Sequence, residues 1–243
     1  MVSKKKKIAE SPYKQQHVEY RTEKGKIIKN LVFGVQDGAL TTLGVVTGIT
    51  GAAVDNSLIV LAGVVSLITE AISMGMGEYI SSKSEIEVYN HETELEKKEM
   101  EEVPEIERQE IVDIYKAKGF SGKLLDQIVR KITSDKRLWL NTMLREELGF
   151  PEKFESPAKL GAIMFVTSLI GGIIPILPYL FMRAADALPL SIATTAAALF
   201  VTGASKTIVT KGNWLKGGIE LLLIGMLVAF IGYSIGSILG VRA

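Results

Sequence analysis

The chain has no cysteine and only two histidines, His17 and His91, among its 243 residues. The first absence excludes a disulfide framework, a thiolate zinc site and a cysteine nucleophile. The second argues against a multi-histidine metal centre within one chain, so any metal chemistry rests on carboxylate, thioether and backbone oxygen. There is no surplus of one charge either. The formal net charge is +1, with a basic N-terminal tail offset by an acidic middle, and no nucleic-acid partner is expected from that balance. A cleaved signal peptide is not expected, because the run Lys4 to Lys7 is followed by polar residues and no early apolar core.

What the chain does have is segregated hydrophobicity. Hydrophobic residues make up 47% of it and charged residues 23%, a mixture that suits apolar spans joined to a polar domain. Five stretches, near 31–53, 57–80, 159–182, 189–210 and 215–240, approach the roughly 20 residues a transmembrane helix needs. A basic tail, 1–30, precedes them, and a polar insert, 81–158, separates the second from the third. The fold expected is an all-α membrane protein with five transmembrane helices. Lys and Arg concentrate in the tail, in the insert and in the loop with Lys211 and Lys216. The loop at Asp55 and Asn56, the turn from Arg183 to Leu188 and the tail Val241-Arg242-Ala243 offer only two cations between them. The positive-inside rule therefore puts the N-terminus and the insert in the cytoplasm and the C-terminus outside.

Small-xxx-small patterns at Gly34/Gly38, Gly44/Gly48 and Gly232/Gly236/Gly240 let helix backbones approach closely, either within one chain or between subunits. Pro175 and Pro178 each remove a backbone donor, which predicts a kink or break late in the third span.

The second span carries acids. Glu70, Met74 and Glu78 follow at four-residue steps and drift by only about 40° each, so they form one stripe on a helix. The first span adds Asp37, with Thr41 one turn on. Asp37 and Met74 each lie about six residues from the cytoplasmic end, roughly 9 Å deep, and are expected level with each other, with Glu70 nearer the midplane. An acid at such depth costs about 2.5 to 3.5 kcal/mol on insertion scales, so its default reading is a functional group facing protein or water. The bland alternative is a protonated carboxyl bonded to a neighbouring helix. Met76 points about 200° away from Met74 and reads as packing. Oxygen ligands with one thioether favour a borderline ion such as Fe²⁺ over Mg²⁺ or Ca²⁺, and closely spaced acids also carry protons.

In the insert, Pro104 stands where a helix would begin, so a helix over about 81–102 is expected to fold back into one over about 105–118. Glu96 and Glu99 on the first, and Glu107 and Glu110 on the second, each share a face by i,i+3 spacing. Four unneutralised carboxylates repel by several kcal/mol unless cations fill the site. The bland alternative is a solvated acidic face diluted by Lys97, Lys98 and Arg108. Glu78, Glu85, Glu92 and Glu99 recur every seven residues, which gives one acidic row if the second span continues unbroken into the insert.

FGVQDGALTTLGVVTGITGA from Phe33, EAISMGMGEYISSKSE from Glu70, the Glu-rich hairpin and MLREELG from Met143 resemble the vacuolar iron transporter family across nearly the whole chain after about residue 28. The resemblance implies a five-helix homodimer with an ion path between the two first helices. It also implies a cytoplasmic three-helix metal-binding domain between helices 2 and 3, and export of Fe²⁺ from the cytosol coupled to proton entry, with Mn²⁺ as a second candidate. Carried over, Asp37 and Met74 are path ligands, and Glu70 lines or gates the path, with Glu78 on the same stripe. Glu96, Glu99, Glu107 and Glu110 are the cytoplasmic ligands, joined by Met143 and Glu147, which are four apart and so share a face. Where related sequences can carry Met-Met, this chain has Met143-Leu144, which bears on metal preference and ion number. Lys206 is placed to snorkel or to pair with an acid, and Glu220 to favour a helix dipole.

Two classes of function follow: a proton-coupled divalent-metal exporter with the bilayer, Fe²⁺ and protons as partners and no cofactor, or a membrane-anchored iron-binding or sensing protein that does not transport. Asp37 and Glu70 separate them, since an anchor needs no acid at depth. An enzyme is not expected, because neither histidine falls in the Glu-x-x-His motif of ferritin-like di-iron sites. The expected location is a prokaryotic plasma membrane, with a vacuolar membrane as the alternative.

Overall fold

The computed structural model describes residues 16–52 and 55–240, so Lys4 to Lys7 and the Val241-Arg242-Ala243 tail, on which part of the orientation argument rests, lie outside the described residues. The regular elements among the described residues are all helices, in the order α1 (Gln16–Gly51), α2 (Asn56–Glu102), α3 (Pro104–Ala117), α4 (Gly122–Thr133), α5 (Lys136–Thr142), a π-turn (Met143–Glu147), α6 (Pro157–Phe181), α7 (Ala184–Thr210) and α8 (Trp214–Leu239). Five of these are long and apolar enough to cross a membrane: α1 from Gly25, α2, α6, α7 to Thr207, and α8. The chain is therefore a multi-pass membrane protein. Its contacts divide it into two compact units, 1–79 with 158–243, and 80–157. Helix α2 supplies residues to both as a single 47-residue helix.

In the first unit the helices meet at small residues. A Cβ added at Gly38 would overlap the Ser168 carbonyl, and one at Gly236 would overlap the carbonyl of Gly48. The glycine patterns thus serve packing within the chain, Gly34 and Gly38 against α6, and Gly44 and Gly48 against α8. Lipid tails are as apolar as Leu, so close van der Waals approach replaces hydrophobic gain as the source of cohesion. A cluster of Val46, Ile59, Leu67, Ile176, Tyr179 and Ala187 fills the space among α1, α2, α6 and α7.

Two expectations are corrected here. Of the kink or break expected late in the third span, the break is absent: α6 runs on through Pro175 and Pro178 to Phe181, with both prolines buried. Buried between neighbours, a transmembrane helix tolerates the missing donors. The segment 183–188 is not a turn: α7 begins at Ala184 and includes Pro189. Asp186 lowers the local hydropathy and hid the helix start, yet a carboxylate in the first turn suits the positive end of the dipole. Farther along, Lys206 Nζ donates to Glu220 Oε2 at 3.1 Å, so Glu220 is held by an ion pair between α7 and α8 and is not explained by the dipole alone.

The second unit is built differently. Val103 alone links α2 to α3, and its N–H donates to the Glu99 carbonyl at 2.8 Å, with Pro104 opening α3. Helix α4 was not anticipated, and it makes the insert richer than three helices. Its Leu125, Val129 and Ile132 are buried with Ile111, Trp139 and Met143 in one apolar core. Tyr89 meets Phe150 edge to face and Phe154 at a tilt, at 5.3 and 5.1 Å between ring centroids.

Candidate functional site

The carboxylates singled out in the sequence fall into two sets, one in each unit. In the first unit, the Asn30 Nδ2 of α1 donates to Glu78 Oε1 of α2 at 2.9 Å. Seven residues further along α1, Asp37 and then Thr41 are the polar groups facing Glu70, which lies eight residues back along α2. The two contacts fix the antiparallel register, because seven residues rise by about 10.5 Å on one helix and eight by about 12 Å on the other. Asp37 therefore stands level with Glu70. This corrects the expected pairing with Met74, which this register offsets from Asp37 by about one turn. Met74 is half-buried on the same stripe, while Met76 is exposed and lines an apolar groove of about 300 Å³ with Ile72, Gly75 and Phe165.

Both Glu70 carboxylate oxygens are buried without a hydrogen-bond partner of normal geometry. A buried acid left this way is costly in an apolar span. A proton or a cation shared with Asp37 would remove that cost.

In the second unit Glu96 of α2 and Glu107 of α3 are both buried and face each other, and Glu96 Oε1 and Glu107 Oε2 are buried with no hydrogen-bond partner. Burial first, then the facing Glu107 carboxyl and the nearby charges of Glu107, Glu147 and Glu99, pushes the Glu96 carboxyl up to about 8. Glu110 and Glu147 are also raised, first by partial loss of solvent around the carboxyls and then by neighbouring acids: Glu147, Glu107, Glu99 and Asp113 act on Glu110, and Glu107 and Glu99 on Glu147. The hairpin and the π-turn thus bring Glu96, Glu99, Glu107, Glu110 and Glu147 into one mutually repelling group.

The bland reading of a neutralised acidic face applies to other residues. Lys97 pairs with Glu94 at 2.6 Å, Lys98 with Glu102 at 3.8 Å and Lys136 with Glu101 at 3.5 Å. Among the described residues none of the five grouped acids forms such a pair. Nor do three His, Asp or Glu side chains, among the described residues, converge tightly enough as they stand to hold a metal ion. The group is concentrated charge without coordination geometry, and closing on an ion would require side-chain movement.

The third contributor sits on the π-turn, closed by Leu148 N–H to the Met143 carbonyl at 3.2 Å. Such single turns recur at functional sites. Glu147 is exposed at its end, whereas Met143 is fully buried in the apolar core. Leu144, beside it, is also buried. Asn30 was missed in the sequence, although its seven-residue spacing from Asp37 places the two on one helix face.

An all-helical, multi-pass membrane protein with facing acids inside a span and a second acidic group in a polar insert has the outline of an ion-handling membrane protein. The comparisons agree. The model of the VIT family matches residues 28–237, and the chain belongs to that family. It is 30% identical over 238 residues to vacuolar iron transporter 1 of Arabidopsis thaliana, covering 96% of this chain and 95% of that protein. It is 33% identical over 223 residues to vacuolar iron transporter 1 of Tulipa gesneriana, covering 90% of each. It is 31% identical over 223 residues to the vacuolar iron transporter of Toxoplasma gondii, covering 87% of this chain and 74% of that one. These relatives are named as transporters, not enzymes.

Proposed function

We propose that the protein transports Fe²⁺ across its membrane, out of the cytosol and in exchange for protons, with Mn²⁺ as a second substrate. The observation that carries this reading is the facing of Asp37 and Glu70 between two spanning helices, with both Glu70 oxygens buried and turned toward Asp37 and Thr41. An ion entering would bind the pair as dianion, and protons would replace it as it leaves, so the same oxygens serve both cargoes. Met74, beside them on the stripe, contributes the thioether that favours Fe²⁺.

The insert captures metal with Glu96, Glu99, Glu107, Glu110 and Glu147, and Met143 joins if the π-turn rearranges to present it. Insert and N-terminus face the cytosol, and two copies pair with the path between their first helices. The membrane bounds a storage compartment, as in the relatives named for vacuoles, or the cell itself. The test is anaerobic Fe²⁺ uptake into sealed vesicles containing the purified protein. Uptake well above that of empty vesicles is expected, and uptake equal to theirs under every pH difference would refute transport.

A further inference from the structure

Asn30 is 3% exposed, although a side-chain amide with two donors and an acceptor is costly to bury in an apolar span. Its main chain is fixed. The Thr167 hydroxyl reaches toward the Asn30 carbonyl at 3.5 Å, and Gly34, one turn on, lies so close to α6 that a Cβ would overlap that hydroxyl. Only the side chain is free to turn, and it is spent on Glu78, through a charge-assisted bond of 2.9 Å. Glu78 keeps further contacts of its own, so Asn30 is not needed merely to satisfy that carboxylate.

The position is informative. Asn30 and Glu78 form the outer rung of the ladder whose inner rung is Asp37 and Glu70, near the polar end of the apolar stretch of α2. The outer rung pairs one carboxylate with a neutral amide, and the inner one pairs two carboxylates. The geometry points to Asn30 as a latch on the membrane path: its N–H₂ holds Glu78 in the ion-free form, and the amide turns over to offer its carbonyl oxygen when a divalent cation reaches that carboxylate. Rotating the amide by half a turn exchanges a donor for a hard oxygen ligand, and the loss of its bond to Glu78 unties α1 from α2 at this rung, which loosens the helix locally. The cation then sits between two oxygens carrying one negative charge, is held more weakly than at the inner rung, and passes on toward the stronger pair. The inference rests on the transport reading above.

Two measurements test it. The first is the initial rate of anaerobic Fe²⁺ uptake against concentration for the wild type, Asn30→Leu, Asn30→Asp and Glu78→Gln. Asn30→Leu keeps the branched shape without the amide and should raise the half-saturating concentration about tenfold, the scale of one lost charge-assisted contact, with the maximal rate kept. Asn30→Asp should do the reverse, lowering the half-saturating concentration and slowing the maximal rate, because two carboxylates retain the ion. Glu78→Gln preserves the hydrogen bond, and so the fold, but should also raise the half-saturating concentration. An unchanged value in Asn30→Leu, with the wild type transporting, overturns the latch and leaves transport standing.

The second measurement does not need transport. Hydrogen exchange of residues 26–34 in the full-length protein should change on adding Fe²⁺ in the wild type and not in Asn30→Leu or Glu78→Gln. An identical response in all three overturns the latch whatever the vesicles show.

Discussion

The membrane unit and the insert both bring acids face to face, but they hold them by opposite means. Around Asp37 and Glu70 the scaffold is backbone against backbone, with Gly38 on Ser168, Gly171 on Val35 and Gly236 on Gly48. Around Glu96 and Glu107 it is a core of large side chains, among them Ile111, Trp139 and Met143, ending in a π-turn. In lipid there is no hydrophobic gain in bringing helices together, so close approach must hold them. In water that gain is the main source of cohesion. On the proposed reading the difference would suit two tasks: glycine contacts would fix the gap across which an ion passes, while a side-chain core with a π-turn could adjust as carboxylates close on one.

The largest effect should come from breaking the backbone contacts. Gly38→Val drives a side chain into the Ser168 carbonyl and should destabilise the membrane unit by about 3 kcal/mol or more. Gly77→Ala, which meets nothing within 4 Å, should be neutral within about 0.5 kcal/mol. Thermal unfolding in detergent separates them.

Next is Asp37→Ala, which should cut Fe²⁺ flux about a hundredfold, or roughly 2.7 kcal/mol of barrier, and leave binding of metal by the insert unchanged. Equilibrium dialysis beside the flux assay checks both halves, and joint loss would mean that the two acidic groups are not separate stations.

In the insert, Glu96→Gln with Glu107→Gln should abolish tight metal binding yet stabilise the metal-free protein by about 1 to 3 kcal/mol, since a buried repulsive pair is removed. Glu94→Gln with Glu101→Gln, which touches only exposed ion-paired acids, should change stability by less than about 1 kcal/mol. The pH dependence has a definite sign. The Glu96 carboxyl is raised from 4.5 to about 8 in the fold, so the folded state binds more protons, and the stability this confers is lost as pH rises through that window. Protection against hydrogen exchange over residues 96–111, taken relative to the intrinsic rate at each pH, should fall along this range, and Glu96→Gln should flatten the slope.

The smallest effect is at Met74. Met74→Leu should cost less than about 1.5 kcal/mol in packing and slow Fe²⁺ more than Mn²⁺, the harder ion. Competition between the two ions in one vesicle preparation reads the ratio, and an unchanged ratio would remove Met74 from the path.

Sequence periodicity made the spans and the two acidic groups legible because both rest on local spacing. Glu96 and Glu107 face each other as the Pro104 turn implies. What it could not show was register between helices: Asp37 meets Glu70, not Met74, because packing against α6 sets the slide of α1 along α2. Nor did it show that buried prolines would stay helical in α6. The start of α7 was lost to an averaged hydropathy that Asp186 depressed. Helix α4 was readable from the i, i+4, i+7 pattern of Leu125, Val129 and Ile132, but it carries no acids on its apolar face and drew no attention.

The most direct test of the account is simultaneous measurement of Fe²⁺ entry and internal pH in sealed vesicles under imposed pH differences, for the wild type and Glu70→Gln. The account predicts that Fe²⁺ entry in the wild type drives protons out, that an acidic interior accelerates it, and that Glu70→Gln severs the two flows. Wild-type Fe²⁺ entry that proceeds at one rate whatever the pH difference, with no movement of protons, would contradict it.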